Sequence, residues 1–471
     1  MVRAPVEALT NGWDGASFRD RKGRVFHLGG RILRELSPAG LDNWRTFAKH
    51  PLCAELMTEQ LLVSTREVHE AIPGLGPGSF LEHDPVRFVS YAFEWPFSML
   101  KRAALLHLQL LQRLIPAGFI LSDATPSNVM FRGTRPIFID TASVVGYQPG
   151  DPWRAFKQFL ETMLYPLMLA AHKGISYNAW LRGSGENGLP VDQVARVFGW
   201  RDIFRPGVFS HVKVTGAIER LARDRFELTE DETRTAAVST RLLLRNIAKL
   251  ERIVESLDAR RLQGIWTDYD DEVSYGADGH QQKRAAVERA ATRAGQRSLV
   301  WDLGCNTGAY SVLIAKHVDA VVAMDQEGAV VEEAYRRATR DHADNVLPLV
   351  MDVANPSPAQ GWRGRERRSL SERGTPDVIV ALAVLHHLVL SKNVPVDQVV
   401  AELARLGPRC ILEFVAPDDP QSQRLARTGG HGRNELPARD GFERIAAEQF
   451  LIDEVVPLTP TRTLYFLEAK A

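Results

Sequence analysis

Cysteine is scarce in this chain: Cys53, Cys305 and Cys410 are the three in 471 residues, and no two of them form a Cys-x-x-Cys pair. That excludes a zinc ribbon and a disulfide framework. Net charge is missing too. Lysine plus arginine and aspartate plus glutamate both total 58, so the whole advertises neither a nucleic-acid binder nor a membrane-surface protein. A long apolar run is also lacking. The greasiest stretch, "FKQFLETMLYPLMLAA" (156–171), is broken by Lys157, Gln158 and Glu161 and is shorter than the about 20 residues a spanning helix needs. It reads as a buried helix. "MVRAPVEALTNGWDG", the first stretch, has no apolar core of a secretory signal, and a cytoplasmic location is expected. The basic stretch "RGRERRSLSERG" (363–374) reads as a solvated loop.

What is present is enough for more than one core. The length of 471 residues exceeds an ordinary single domain, and 45% apolar with 25% charged residues is a globular composition. Two rhythms divide the chain. Residues 17–262 hold short strands at 17–35, helix at 38–61, a strand at 86–95 ("VRFVSYAFEW") and helix at 97–118. A polar loop with Asp123 and Asn128 follows, then a strand at 135–140 and mostly helix to residue 262. The aromatic stretch 263–283 is the junction. Its Trp266, Tyr269 and Tyr275 either pack between domains or close over a ligand as a lid. Residues 284–471 alternate strand and helix, with strands at 298–303, 319–325, 346–352, 377–383, 408–415, 449–456 and 462–468. The expected fold there is α/β, a mostly parallel sheet covered on both faces. Only "PLTPT" separates the last two strands; they should form an antiparallel hairpin at the sheet edge.

The chemistry concentrates where the first of those strands ends, in "SLVWDLGCNTGAYSVLIA" (298–315). Gly304 lets the chain turn sharply, and Gly308 lets backbone and ligand approach closely. Asp302 stands at the strand end. Asp325 ends the second strand, 23 residues on, where a carboxylate accepts hydrogen bonds from ribose hydroxyls. Asp352 ends the third, within reach of an adenine amino group. The alternative is a doubly wound sheet whose aspartates merely cap helices. A dehydrogenase turn would need Gly-x-Gly-x-x-Gly, but Asn306 and Ala309 occupy its later glycine positions. A ligand carrying a carboxylate and an ammonium, without phosphates, suits this turn better.

"VWDLGCNTGAYS" resembles the first motif of the class I S-adenosylmethionine-dependent methyltransferases, and Asp325 and Asp352 fall where that family's second and third motifs lie. "PDVIVALAVLHHLVLSKNVPVDQVVAELARL" and "TRTLYFLEAK" resemble its fourth motif and last strand. Asn306 stands where the family often has glycine. The resemblance narrows, through "LSDATPSNVMF", "IFIDTAS", "NVPVDQ" and "APDDPQSQRL", to a two-domain bacterial group that includes rhizobial nodulation proteins. It implies a Rossmann-like seven-stranded domain. Asp302, Gly304, Asn306 and Gly308 would cradle the methionine end of S-adenosylmethionine, Asp325 the ribose, and Asp352 and Val353 the adenine. It also implies methyl transfer; the neutral charge total and the lack of a basic aromatic platform favour a small-molecule or glycan acceptor over nucleic acid. His387 and His386 are the candidate bases, with Glu413 as an orienting acid. Packing at a helix start is an equal reading for the histidines, as is loop bracing for Glu413. The acceptor is expected between the domains, near these residues.

Asp123 and Asn128 have the Asp-x-x-x-x-Asn spacing of a protein-kinase catalytic loop, and Asp140 follows a strand as the metal-binding aspartate does. Residues 17–262 therefore resemble an α+β kinase-like domain of the aminoglycoside-kinase type. With ATP and Mg²⁺, Asn128 and Asp140 would hold the metal and Asp123 would align a hydroxyl. Leu121 and Thr141 depart from the kinase pattern, and no Val-Ala-x-Lys strand exists; Arg24 and Arg34 are the nearest cations in strand-like context. A degenerate acceptor- or partner-binding domain, an active kinase and an unrelated helical domain all stay open. So does a protein that binds the cofactor only to sense it.

Overall fold

The computed structural model describes residues 12–470 apart from 71, 73, 74, 76, 77, 186, 219–238, 263–271 and 429–433. Trp266 and Tyr269 of the aromatic junction lie outside the described residues. From Glu272 the junction is helical, running to Ala294 with a break at Gly276.

The N-terminal half opens on five strands: β1 (Gly12–Trp13), β2 (Gly23–Leu28), β3 (Arg31–Leu36), β4 (Thr65–Val68) and β5 (Phe80–His83). They form one antiparallel sheet in the order β1-β2-β3-β5-β4. Helices Pro38–Ala48 and Pro51–Thr58 cross between β3 and β4. Each starts on proline after a capping side chain, Ser37 and His50, which satisfies an otherwise orphaned helix donor. Below the sheet, helix Phe97–Leu114 buries a leucine-rich face. Strands β6 (Phe119–Leu121) and β9 (Val144–Gly146) pair, as do β7 (Val129–Arg132) and β8 (Arg135–Phe138). The amphipathic helix Thr240–Ser256 packs on helix Phe97–Leu114.

The expected strand at 86–95 is absent. That segment is irregular, with a single 3-10 turn at Ala92–Glu94. Its apolar residues are buried for another reason: Phe88 packs edge-on to Trp301 of the C-terminal half at 5.8 Å. Trp95, at the other end of the segment, packs edge-on to Phe131 of its own half at 4.9 Å, so burial on two different partners, not a sheet face, produced the alternation.

The C-terminal half is built on β10 (Leu299–Leu303), β11 (Ala320–Asp325), β12 (Val346–Val350), β13 (Val378–Ala381), β14 (Arg409–Val415), β15 (Phe450–Thr459) and β16 (Arg462–Ala469). Their order is β12-β11-β10-β13-β14-β16-β15. The first five are parallel; β16 is antiparallel to β14 and to the edge strand β15. The central strand β10 is buried along its whole length, as a parallel strand covered on both faces must be. Strand order reverses beside β10, so β10 and β13 diverge where their loops leave, and a crevice forms there.

The basic stretch 363–374 is a solvated loop only in part: Arg363 and Arg365 are exposed, but other cations are not. Arg373 makes a bidentate pair with Glu94, both contacts at 2.7 Å, with side chains 0% and 1% exposed. Arg368 reaches Asp14 at 3.0 Å, and Arg19 reaches Glu366 at 2.7 Å. These cations are spent on joining the two halves. Ser98 bonds to both oxygens of Glu332, and Tyr335 donates to the carbonyl of Thr134.

Candidate functional site

The parallel register sets the tips of β10, β11 and β12 side by side. Leu303 lies beside Met324, and Asp325 beside Val350. The chain then folds back at once. The amides of Gly304 and Cys305 both donate to the carbonyl of Met324, at 2.8 and 2.9 Å. Gly304 takes φ +72°, and a Cβ there would lie 2.3 Å from Val384. The turn is therefore packed against the loop after β13. Asn306 also has positive φ, 48°. Its amide donates to Asp325 Oδ2 at 3.1 Å, and Glu327 donates to Oδ1 at 3.0 Å. Oδ1 of Asn306 is buried with no hydrogen-bond partner among the described residues. Burial raises the Asp325 pKa above the ordinary carboxylate value. Asp302 is enclosed and accepts from Ser311 at 2.5 Å; burial lifts its pKa to about 6.

Asp352 sits at the rim. It accepts from the amide of Ala354 at 3.0 Å and from Lys392 at 2.8 Å. Val353 beside it packs on the main core.

After β13 the chain carries His386 and His387, whose rings stand 4.3 Å apart. His386 is fully buried, and neither ring nitrogen meets a partner among the described residues. Burial, with smaller contributions from His387, Arg462 and Lys283, holds it well below the usual histidine range. Burial also brings His387 down to about 4. Glu413 is enclosed at the end of β14. It accepts from Tyr275 at 2.6 Å and lies 2.9 Å from the Lys283 ammonium.

A second site faces the other way. A cavity of about 2240 Å³ opens between the N-terminal half and the starts of β10, β11 and β12, with Leu299, Val321 and Leu347 in its wall. Asp123, Asn128 and Asp140 line it; His386, His387 and Glu413 do not. The expectation of an acceptor between the halves near those three residues is thus corrected. Parallel strands start at one edge and end at the other, and the space between the halves lies at the starting edge. In this cleft Arg34 on β3 reaches Asp140 at 2.6 Å and also pairs with Asp20. Lys22 donates to Ser122, which donates to Asp123 at 3.2 Å. The side-chain amide nitrogen of Asn128 is buried with no partner among the described residues. His83 donates through Nδ1 to Thr65, whose own hydroxyl hydrogen goes to Val63. Burial, with the Arg34 charge nearby, lowers the His83 pKa to about 3.

No protein-family model matches the chain. Nodulation protein NoeA of Rhizobium meliloti (strain 1021) is 33% identical over 415 residues, covering 87% of this chain and 86% of that protein. The chain belongs to the NoeA family. Solved structures matched by this NoeA-family chain include the N-methyltransferase NodS from Bradyrhizobium japonicum WM9 with S-adenosyl-L-homocysteine (15% identity, 41% of this chain, 88% of that one, TM-score 0.31). Magnesium protoporphyrin IX methyltransferase from Synechocystis PCC 6803 matches at 22% identity, 41% and 84% coverage and TM-score 0.31. The bifunctional kinase-methyltransferase WbdD matches at 14% identity, 40% and 39% coverage and TM-score 0.29.

Sequence reasoning missed several residues that the NoeA-family fold gathers. Lys283, Asp419 and Arg462 are all buried around Tyr275 and Glu413. Each is one charge in an unremarkable run, and only a buried aromatic stretch beside "APDDPQ" and "TRTLYF" hinted at them. No helix among the described residues is long and apolar enough to cross a membrane. The three cysteines are buried and unbridged.

Proposed function

We propose that this chain is an S-adenosylmethionine-dependent methyltransferase acting on a small-molecule or glycan acceptor. The observation that carries the reading is the turn at Gly304–Gly308 set against Asp325, where oxygen acceptors converge beside a tight backbone turn. The residues fit the cofactor. The unpartnered Asn306 Oδ1 suits an ammonium, and Asp325 suits a ribose diol. Gly308 takes φ +75°, and a Cβ there would crowd Ala334 at 3.0 Å, so this glycine serves the packing of the turn itself. Asp352 and Val353 line the adenine in this reading. When bound, the cofactor supplies a methyl group already activated on a sulfonium. The protein's share is alignment and removal of water. Burial keeps His386 and His387 neutral near pH 7, but the same downward shift makes them weak bases, so in this reading they shape the pocket beside the cofactor rather than take a proton. Glu413 orients its neighbours rather than reacting, because its carboxylate is engaged by Tyr275 and Lys283.

We assign residues 284–471 to the transferase domain, 263–283 to the junction and 17–262 to a kinase-like domain that binds acceptor or partner. The sheet order β1-β2-β3-β5-β4, and Arg34 on β3 reaching Asp140, support the kinase-like assignment. A magnesium nucleotide does not fit this cleft. The Asp140 carboxylate that would hold the metal is taken by Arg34, itself shared with Asp20. No phosphoryl-transfer step follows.

Calorimetry with S-adenosylhomocysteine and, separately, with MgATP tests both assignments. Binding of the first without the second is expected. Heat from MgATP alone would overturn both.

A further inference from the structure

Five enclosed polar side chains lie beside the strand tips without a part in holding the cofactor: Tyr275, Lys283, Glu413, Asp419 and Arg462. The Tyr275 hydroxyl is their centre. It donates to Glu413 at 2.6 Å and accepts from Lys283 and Arg462, each at 2.8 Å. A phenol has one hydrogen and two lone pairs, and this arrangement uses all three. Arg462 also reaches Asp419 through Nε and Nη2, at 3.0 and 3.2 Å. The cations and carboxylates match, and they come from three elements: helix Glu272–Ala294, the end of β14 with the loop after it, and the start of β16.

Backbone geometry serves the same contact. Residues eight apart in a straight helix are separated by about 12 Å along its axis. Gly276, at φ 64° and ψ 169°, breaks the helix between Tyr275 and Lys283, and the break accounts for their phenol and ammonium meeting. Lys283 also lies 4.9 Å from the ring of Tyr310, in the first turn of helix Ala309–Ala315. That helix begins at Gly308, so the cluster abuts the cofactor turn. Its charges are felt at Asp302 and His386 as well.

Stability is a weak reason for such a cluster, because desolvating ions costs as much as pairing them returns; fixing one arrangement is the better-attested use. We propose that Tyr275, Lys283 and Arg462 are positioning residues of the cofactor site. Acting through Glu413 and Asp419, they lock the helix that begins at Glu272 across the turn at Gly304–Gly308. This rests on the methyltransferase reading.

Calorimetry with S-adenosylhomocysteine on the full chain, paired with hydrogen exchange over residues 275–283, tests it. Tyr275→Phe keeps the ring and removes the shared oxygen; affinity should fall about tenfold and exchange should quicken. Arg462→Met should lose as much. Arg462→Lys keeps the charge but loses the fork that reaches Asp419 and Tyr275 together, so its affinity should fall between those of Arg462→Met and wild type. Lys283→Met combined with Glu413→Gln leaves no orphaned charge to unfold the protein, and should also lose about tenfold. Affinity within about twofold of wild type in Tyr275→Phe and in the double variant, with exchange quickened, overturns the inference. Wild-type protein that does not bind S-adenosylhomocysteine overturns the methyltransferase reading instead, before any variant is made.

Discussion

The two edges of the seven-stranded sheet differ in how many of their charges are enclosed. At the strand tips the ions are enclosed: Lys283 and Glu413 are 1% and 0% exposed. At the strand starts, Arg87 pairs with Asp319 and Arg135 with Asp344, and at least one partner of each pair is open to water. Exposed pairs of this kind contribute little, because solvent and salt screen them. Enclosed pairs are costly to break from one side. The starting edge also holds one enclosed pair, Arg373 with Glu94, at 0% and 1% exposed. Burial, rather than the pair itself, decides which charges matter.

The sharpest way to break this comparison is Arg373→Met. It leaves Glu94 enclosed without its cation, and should destabilise the protein by about 3–5 kcal/mol in a denaturant titration. Arg373→Met combined with Glu94→Leu should recover most of that loss. An Arg373→Met midpoint equal to wild type would mean the pair is not enclosed in solution.

That pair also marks the limit of what the sequence discloses. All seven C-terminal strands were legible: the five parallel ones are short apolar runs set off by polar turns, and the last two are split by a turn too short for a helix. So were Asp325 and the Gly304 turn, whose partners lie on adjacent strand tips. The cofactor turn carries its own local pattern of residues. Arg373 and Glu94 carry none: 279 residues separate them, and Arg373 sits in a basic run that resembles a solvated loop. Lys283 and Arg462 were hidden in the same way. The segment 86–95 misled for the converse reason, since its apolar residues are buried on separate partners, Phe88 on Trp301 and Trp95 on Phe131, without a strand. Strands β4 and β5, four residues each, are too short and too charged to stand out.

Next in size is a pH effect at the tips. Burial raises Asp302 from 3.8 to about 6. A carboxyl with a raised folded-state pKa binds protons more tightly in the folded protein. Its contribution to stability is whole below pH 3.8 and is lost as pH rises through about 6. Across that window the wild type should lose on the order of 3 kcal/mol relative to Asp302→Asn. Buried histidines titrate in both proteins and cancel in the difference. A flat difference between the two stability–pH curves would place Asp302 in contact with water.

Asp325→Ala should weaken S-adenosylhomocysteine binding by about 1–3 kcal/mol, the loss expected when a charged hydrogen-bond acceptor is removed. Asp140→Ala, at the opposite edge, should leave that affinity unchanged. Equal losses from both would mean the two edges do not act separately.

The smallest effect belongs to the rim. Lys392 and Asp352 form a pair at 2.8 Å with side chains 34% and 31% exposed, so Lys392→Ala should cost under about 1 kcal/mol of stability, and less in high salt. Its effect on binding is the more informative. Asp352 already accepts from Lys392 through Oδ2 and from the amide of Ala354 through Oδ1. An adenine amino group would have to compete with both. If Asp352 meets the adenine, Lys392→Ala should tighten S-adenosylhomocysteine binding and Asp352→Ala should weaken it. If Asp352 only braces its loop, neither variant will change affinity, and Val353 with its apolar neighbours is left to hold the base by contact alone. Calorimetry on the two variants separates these cases, because a loop brace and a ligand acceptor predict different signs for the lysine and not merely different sizes.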